Sequence, residues 1–225
     1  MYKGIIFDFN GTLFEDTDLQ YEAWDAVVRE HFGRGLPFEE FISNVHGLGN
    51  PDIADYFQKL YPDKNVTVAI TDEKEETYRV FCREHPDRLQ FLPGVETLFN
   101  QLTAAKIPFA IATASEITNV RFYFEMFRLE RWFTDDRVVY DDRTLAVKPA
   151  PDLYLRAASR LGLSPADCVV CEDSTNGILA AKNAHAGRII ARAYKPERIA
   201  ELSADPEIYA VITDLTGFYP KYMED

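Results

Sequence analysis

The chain has 225 residues, of which 47% are hydrophobic, and it carries a formal net charge of −13. This length suits one domain, or one domain carrying a smaller insert. The negative charge disfavours binding to nucleic acids, and no apolar run reaches the roughly 20 residues of a membrane-spanning helix. The first residues lack the pattern of a signal peptide, so we expect a cytoplasmic protein.

Apolar runs of strand length recur along the chain and alternate with helical patterns. The spacing of Val95, Leu98 and Leu102, for example, is that of one helix face. The alternation predicts βαβ units, and therefore an α/β fold with a mainly parallel sheet covered by helices on both faces. The predicted strands are residues 4–7, 109–112, 138–140, 168–171, 189–191 and 210–212.

Residues 15–88 interrupt this alternation with consecutive helical patterns. Trp24, Val27 and Val28 mark the first of them, and short segments containing Gly or Pro separate the others. We therefore predict a helical insert after the first strand. The predicted boundaries are 1–14 and 91–225 for the α/β core and 15–90 for the insert.

Polar residues follow the apolar runs where parallel strands present their carboxyl ends. Asp8 follows the first run, Thr113 and Ser115 follow the second, and Glu172-Asp173 follows the fourth. Lys148 stands shortly before a predicted helix. Because the carboxyl ends of parallel strands form the ligand crevice of an open sheet, we expect these side chains to lie close together in that crevice.

This combination of side chains is typical of phosphoryl chemistry. Carboxylates bind Mg²⁺ through hard oxygen ligands. A hydroxyl and an ammonium group can bind phosphate oxygens, and one carboxylate can attack phosphorus and carry it as an aspartyl-phosphate.

Four motifs in chain order resemble those of the haloacid dehalogenase-like hydrolase superfamily. They are Asp8-Phe9-Asn10-Gly11-Thr12, Thr113, Lys148 and Glu172-Asp173. Within the superfamily the chain is similar to phosphatases and mutases with a helical cap after the first motif. The resemblance covers nearly the whole chain and implies a Rossmann-like core, with residues 15–88 as a mobile lid.

The resemblance also implies a role for each matched acidic position. Asp8 resembles the nucleophile and first Mg²⁺ ligand, and Asp173 resembles the second carboxylate ligand. The backbone carbonyl of Asn10 corresponds to a further ligand, and Glu172 is similar to an acid that binds the metal directly or through water.

Thr113 and Lys148 resemble the pair that binds phosphate and neutralises its charge. The ligand that the resemblance implies is a small phosphorylated metabolite, and we expect a monomer, with a dimer left open. The residues predicted to contact phosphate or substrate are Gly11, Thr12, Thr113, Ala114, Ser115, Lys148 and His46.

The insert departs from the sugar-phosphate mutases of the superfamily, which grip a second phosphate with a Lys-Gly loop and a nearby Arg. In the similar stretch here, His46 before Gly47 replaces the lysine and Asn50 replaces the arginine. Gln20 replaces a histidine that assists the mutases. These departures weaken a mutase assignment, and His46 is either a substrate contact or a surface or hinge histidine.

Asn10 is the main departure within the first motif. In the phosphatases this position is usually Asp, which protonates the leaving alcohol and then deprotonates the attacking water, whereas a neutral amide does neither. Losing a general acid and base typically costs about 10²–10⁴ in rate. Three accounts of Asn10 are open. The protein is a natural variant with slow or altered activity, Asn10 is an engineered substitution, or Glu15, Asp16 or His46 supplies the proton instead.

We therefore predict a Mg²⁺-dependent phosphatase that forms an aspartyl-phosphate on Asp8, slowed by Asn10. A protein that binds or senses a phosphorylated ligand without turnover is the alternative from another class. A sugar-phosphate mutase is a further alternative.

Overall fold

The computed structural model describes residues 2–46 and 48–223, and within them six strands form one sheet. The strands are β1 (Gly4–Phe7), β2 (Phe109–Glu116), β3 (Val138–Asp141), β4 (Cys168–Glu172), β5 (Arg188–Arg192) and β6 (Ala210–Ile212). They are all parallel and lie in the order β3-β2-β1-β4-β5-β6. The predicted α/β fold with a parallel sheet is confirmed.

The described residues also form ten α-helices, of which the first four lie within the predicted insert. These are α1 (Thr17–Phe32), α2 (Phe38–Asn44), α3 (Asn50–Leu60) and α4 (Ala69–Glu84). The others are α5 (Val95–Ala105), α6 (Ile117–Phe127), α7 (Asp152–Arg160), α8 (Thr175–Asn183), α9 (Pro196–Ser203) and α10 (Phe218–Tyr222). Short 3₁₀ turns lie at Pro86–Arg88, Leu129–Arg131, Asp135–Arg137 and Pro165–Asp167.

The central strands are buried on both faces, which explains their unbroken apolar sequences. Ile5, Ile6 and Phe7 of β1 have no exposed surface, and β4 is buried along its whole length. Strand order runs outward in opposite directions from β1 and β4. In open α/β sheets such a reversal marks the ligand-binding crevice, so the residues that follow β1 and β4 occupy that position.

Strand β2 is longer than predicted. The predicted strand ends at Ala112, whereas β2 continues to Glu116 through a shift of register with β3 between Ala112 and Glu116. Thr113, Ala114 and Ser115 therefore lie within the strand and not in the loop after it. The apolar run ends early because this part of the strand reaches the polar edge of the sheet.

The structure divides into two compact units, and one of them is Asp16–Leu89. Its own core includes Trp24 and Val27 of α1, Phe41 of α2 and Phe57 of α3. The other unit contains Met1–Glu15 and Gln90–Asp225, including the whole sheet. None of the helices in the described part of the chain is both long and apolar enough to cross a membrane.

Candidate active site

Asp8 directly follows the buried strand β1 and stands at the carboxyl edge of the sheet. Its backbone N–H donates to the carbonyl of Cys171, at 3.0 Å, so it still pairs with β4. Its side chain is only 10% exposed. An ionised carboxylate in such a place needs a charged or hydrogen-bonding partner, because burial alone disfavours the charged form.

Lys148 supplies that partner. Its Nζ donates to Asp8 Oδ1 and to Glu172 Oε1, both at 2.6 Å. Burial by itself would lower the pKa of this ammonium group, but the charges of Asp8 and Glu172 outweigh burial, and the pKa of Lys148 is raised. Lys148 therefore stays charged at neutral pH and joins the ends of β1 and β4.

Glu172, at the end of β4, is wholly buried, and each of its two carboxylate oxygens accepts two hydrogen bonds. Oε1 accepts from Lys148 and from the Tyr154 hydroxyl, the latter at 3.1 Å. Oε2 accepts from the backbone N–H of Ser174, at 2.7 Å, and from the Ser174 hydroxyl, at 3.0 Å. Burial, followed by the charge of Glu172, raises the pKa of Tyr154, so its hydroxyl stays a donor.

Asp173 contacts the loop that follows the first motif. Thr12 Oγ1 donates to Asp173 Oδ1, at 3.1 Å. A Cβ atom at Gly11 would lie 2.2 Å from Asp173 Oδ2, and the φ angle of Gly11 is +77°, so both the space and the backbone favour glycine. Removal from water, and then the charges of Glu172 and Asp8, raise the pKa of Asp173.

The three carboxylates fit a divalent cation. Asp8, Glu172 and Asp173 each offer an oxygen, and these oxygens lie within 4.8 Å of one another. Lys148 pairs with Asp8 and Glu172, and its single positive charge offsets only part of the negative charge of the three carboxylates. Carboxylate oxygens are the ligands that Mg²⁺ prefers, so the donor set fits this ion.

Asn10 is held from two sides by residues of the same unit. Its Nδ2 donates to the Tyr123 hydroxyl, at 2.9 Å, and its Oδ1 accepts from Ser115 Oγ, at 3.2 Å. The Tyr123 ring is buried and stacks on Phe9, with 4.6 Å between the ring centroids. The carboxamide is thus oriented by a rigid aromatic residue of α6 and by the last part of β2.

The predicted phosphate-binding residues of the second motif lie beside β1. Thr113 is almost wholly buried, and its Oγ1 accepts the backbone N–H of Ser115, at 3.1 Å. Ala114 between them is exposed. Because β2 pairs with β1, the structure brings this segment next to the strand that ends before Asp8.

A family model described as haloacid dehalogenase-like hydrolase matches residues 2–185. The chain belongs to this family. The resemblance that the four motifs carry is therefore confirmed.

Relatives within the haloacid dehalogenase-like family share about three tenths of the sequence. The chain is 31% identical over 188 residues to a probable pseudouridine-5'-phosphatase from Drosophila melanogaster, an alignment covering 80% of this chain and 77% of that protein. It is 30% identical over 181 residues to hexitol phosphatase A from Escherichia coli, covering 79% and 77%. A crystal structure of a family IA, variant 3 hydrolase from Entamoeba histolytica superposes with a TM-score of 0.86 at 31% identity, covering 95% and 94%.

His46 and Asp16, which the sequence analysis singled out in the predicted insert, belong to the Asp16–Leu89 unit. His46 follows α2, and its ring lies 5.4 Å from that of Phe41, centroid to centroid. Gly47 lies outside the described residues. Asp16 accepts hydrogen bonds from the Tyr78 hydroxyl, at 2.8 Å, and from Gln20, at 2.9 Å. The role of this unit as a lid, and of His46 as a substrate contact, stay predictions.

Arg192 is a buried residue of the haloacid dehalogenase-like core that the motifs did not indicate. It donates to the carbonyl of Gly11, at 3.1 Å, and to that of Thr213, at 3.2 Å, and it forms an ion pair with Glu15. It therefore braces the loop that carries Asn10. A polar residue directly after the apolar run 189–191 was the available signal. Tyr123 and Tyr154 gave no such signal, because an aromatic residue on an apolar helix face is typical of a core.

Gly177 sets the distance between α8 and the buried carboxylate of Glu172. A Cβ atom at this position would lie 1.6 Å from Glu172 Oε1. Replacing Gly177 by Ala gains helix propensity but must displace a carboxylate that accepts four hydrogen bonds, so we expect a net loss of about 2 kcal/mol in the free energy of unfolding. Urea unfolding measures this loss.

Gly49→Ala is the control for Gly177→Ala. The nearest atom to a Cβ at Gly49 is 3.6 Å away, an ordinary contact, although the residue precedes α3 as its N-cap. We expect a loss of about 1 kcal/mol or less there. A Gly177→Ala variant as stable as the parent would show that α8 moves without cost.

Proposed function

We propose that this chain is a Mg²⁺-dependent phosphatase of small phosphorylated metabolites, with Asp8 as the nucleophile. The observation that carries the proposal is the Lys148 bridge between Asp8 and Glu172 at the point where the strand order reverses, with Asp173 beside it. Relatives named as phosphatases, one for pseudouridine 5'-phosphate and one for hexitol phosphates, support a phosphorylated metabolite as the substrate class.

The carboxylate of Asp8 attacks the phosphorus atom of the substrate. A bond forms between an Asp8 oxygen and phosphorus, and the bond from phosphorus to the leaving oxygen breaks, which leaves an aspartyl-phosphate. The Lys148 ammonium donates to Asp8 and offsets the charge of the arriving phosphate. Water then attacks phosphorus, releases inorganic phosphate and restores Asp8.

The polar segment of β2 binds the phosphate oxygens in this proposal. The Thr113 hydroxyl and the backbone N–H of Ala114 are donors of the kind that bind such anions, and the Ser115 N–H, which donates to Thr113 Oγ1, orients that hydroxyl. Thr12 supports the site indirectly, because its hydroxyl already donates to Asp173. The positions of these donors next to β1 support phosphate binding beside the nucleophile.

Asp8, Asp173 and the backbone carbonyl of Asn10 would hold Mg²⁺. When bound, the ion offsets the negative charge of the carboxylates and of the phosphate during transfer. Glu172 remains a direct or water-mediated ligand in the proposal, but its four hydrogen bonds favour a second role, that of holding Lys148 against Asp8.

Mg²⁺ is expected to stabilise the folded protein, because it relieves repulsion among the clustered carboxylates. At a concentration 100-fold above its Kd, a ligand specific for the folded state adds about 2.7 kcal/mol, or about 5–10 °C in Tm for a chain of this size. Thermal unfolding with and without MgCl₂ measures this shift. Asp173→Asn should remove most of the shift, whereas Asp135→Asn, an exposed control, should retain it.

Turnover separates the phosphatase from the alternative of a binding or sensing protein. Phosphorylated metabolites are assayed for phosphate release with and without Mg²⁺, and the same compounds are tested for thermal shifts. Mg²⁺-dependent release above that of Asp8→Asn supports the phosphatase. Thermal shifts without any release would contradict it and favour a binding protein.

A further inference from the structure

The Asn10 carboxamide uses both of its polar atoms on neighbouring side chains. Tyr123 accepts from its nitrogen, and Ser115 donates to its oxygen. Tyr123 is packed between other core aromatics, with Phe9 at 4.6 Å and Phe14 at 5.8 Å between ring centroids, so it offers the amide a fixed partner. The amide of Asn10 is therefore held in one orientation, two residues after Asp8.

The amide at position 10 affects whether the site can protonate a leaving group. An amide cannot give a proton to the oxygen that departs from phosphorus. Two other charged side chains of the same unit already have partners. Lys148 donates to two carboxylates, and Glu15 forms an ion pair with Arg192, so we do not assign either of them as the proton donor. An alkoxide that left without a proton would add a full negative charge to a site that already contains three carboxylates, where a further negative charge is costly.

We propose that the enzyme acts on phosphorylated compounds whose leaving group needs no proton, foremost acyl phosphates, in preference to sugar or other alkyl phosphates. This proposal rests on the phosphatase function proposed above. A carboxylic acid has a pKa near 4 and a phenol near 10, so a carboxylate leaves as a stable anion. General acid catalysis typically contributes about 10²–10⁴, and this assistance is what an alcohol leaving group lacks here.

The transfer balances without an acid when the substrate is an acyl phosphate. The Asp8 oxygen forms a bond to phosphorus, the bond from phosphorus to the acyl oxygen breaks, and its electron pair stays on the departing carboxylate. In the second step, water attacks phosphorus and the electron pair of the broken bond returns to Asp8 as a carboxylate. The proton from that water passes to solvent, so this step is slow and limits kcat for every substrate.

The experiment compares kcat/KM along a series of leaving groups. Acetyl phosphate, p-nitrophenyl phosphate, phenyl phosphate and sorbitol 6-phosphate are assayed with Mg²⁺ on the parent protein, Asn10→Asp, Tyr123→Phe and the control Asn100→Asp. Asn100 lies on α5, and its side-chain oxygen accepts from Trp132, a bond that a carboxylate keeps. kcat/KM is the right quantity because it reports the first transfer even when the second step limits kcat.

In the parent and in Asn100→Asp we expect kcat/KM for acetyl phosphate to exceed that for sorbitol 6-phosphate by a factor of about 10² or more. In Asn10→Asp we expect this gap to shrink by a similar factor. p-Nitrophenyl phosphate should give a burst of about one nitrophenolate per parent chain before a slower steady rate. Tyr123→Phe should change kcat/KM for all four substrates by a similar factor, because Tyr123 positions the amide and transfers no proton.

Each other result has a distinct meaning. If kcat/KM in the parent is equal for all four substrates, the preference for acyl phosphates is wrong and the phosphatase function stands. A loss confined to sorbitol 6-phosphate in Tyr123→Phe would show that the tyrosine supplies the proton, and would also overturn the preference. If no protein in the set releases phosphate from any substrate, the proposed phosphatase function itself fails.

Discussion

Asn10→Asp is expected to raise the turnover of a sugar phosphate by about 10²-fold or more. The reason is that the rest of the site is already assembled: Lys148 contacts Asp8 and Glu172, and Thr12 contacts Asp173. In its protonated form, an Asp at this position can give a proton to the leaving oxygen. The carboxylate that results can then accept a proton from the attacking water. Phosphate release from sorbitol 6-phosphate measures the gain.

The neighbours of Asn10 tolerate this substitution. Ser115 already donates to the side-chain oxygen, and the Tyr123 hydroxyl can rotate from acceptor to donor. No change of volume follows, so the stacking of Tyr123 on Phe9 is kept. The variant should therefore fold like the parent, which thermal unfolding checks before the rates are compared.

Electrostatic repulsion opposes the gain. A further carboxylate close to Asp8, Glu172 and Asp173 is disfavoured unless opposite charge offsets it. Lys148 supplies one such charge and Mg²⁺ would supply more, so the gain should depend on Mg²⁺. If the variant folds and binds Mg²⁺ yet hydrolyses no phosphate ester faster than the parent, the site has diverged from phosphatase chemistry and a binding protein becomes the better account.

Asp8→Asn is expected to reduce phosphate release to the uncatalysed background, because no other described residue at the end of β1 offers a nucleophilic carboxylate there. Removing a catalytic nucleophile has cost about 10⁶ in kcat in a well-studied hydrolase. The same loss should occur when Asp8→Asn is combined with Asn10→Asp, since the acid has no phosphoryl transfer left to assist. Phosphate release from acetyl phosphate, corrected for its spontaneous hydrolysis, measures the loss.

Stability should not explain the loss in Asp8→Asn. The amide has the shape of the carboxylate and still accepts from Lys148, which keeps its ion pair with Glu172. The substitution also removes one of three neighbouring negative charges. We therefore expect a Tm in the absence of metal no lower than that of the control Asp135→Asn. Asp8→Asn with parental activity would show that the nucleophile lies elsewhere.

The amino-acid sequence was sufficient to predict the α/β fold and the family. Both follow from local signals: apolar runs buried on two faces, helical spacing between them, and chemistry-bearing residues at strand ends. β2 was predicted too short because Thr113 and Ser115 are polar, and a polar residue ends an apolar run even where backbone pairing continues.

The chain by itself also determined which groups stand at the edge of the sheet, since Asp8 and Glu172-Asp173 directly follow strands whose burial dictates their place. Only the tertiary structure decided the partners of those groups. Tyr123 reaches Asn10 across 113 positions, and Arg192 reaches Gly11 across 181. Such contacts depend on how α6 and β5 pack against β1 and its loop, and no periodicity along the chain encodes the distance between side chains so far apart in sequence.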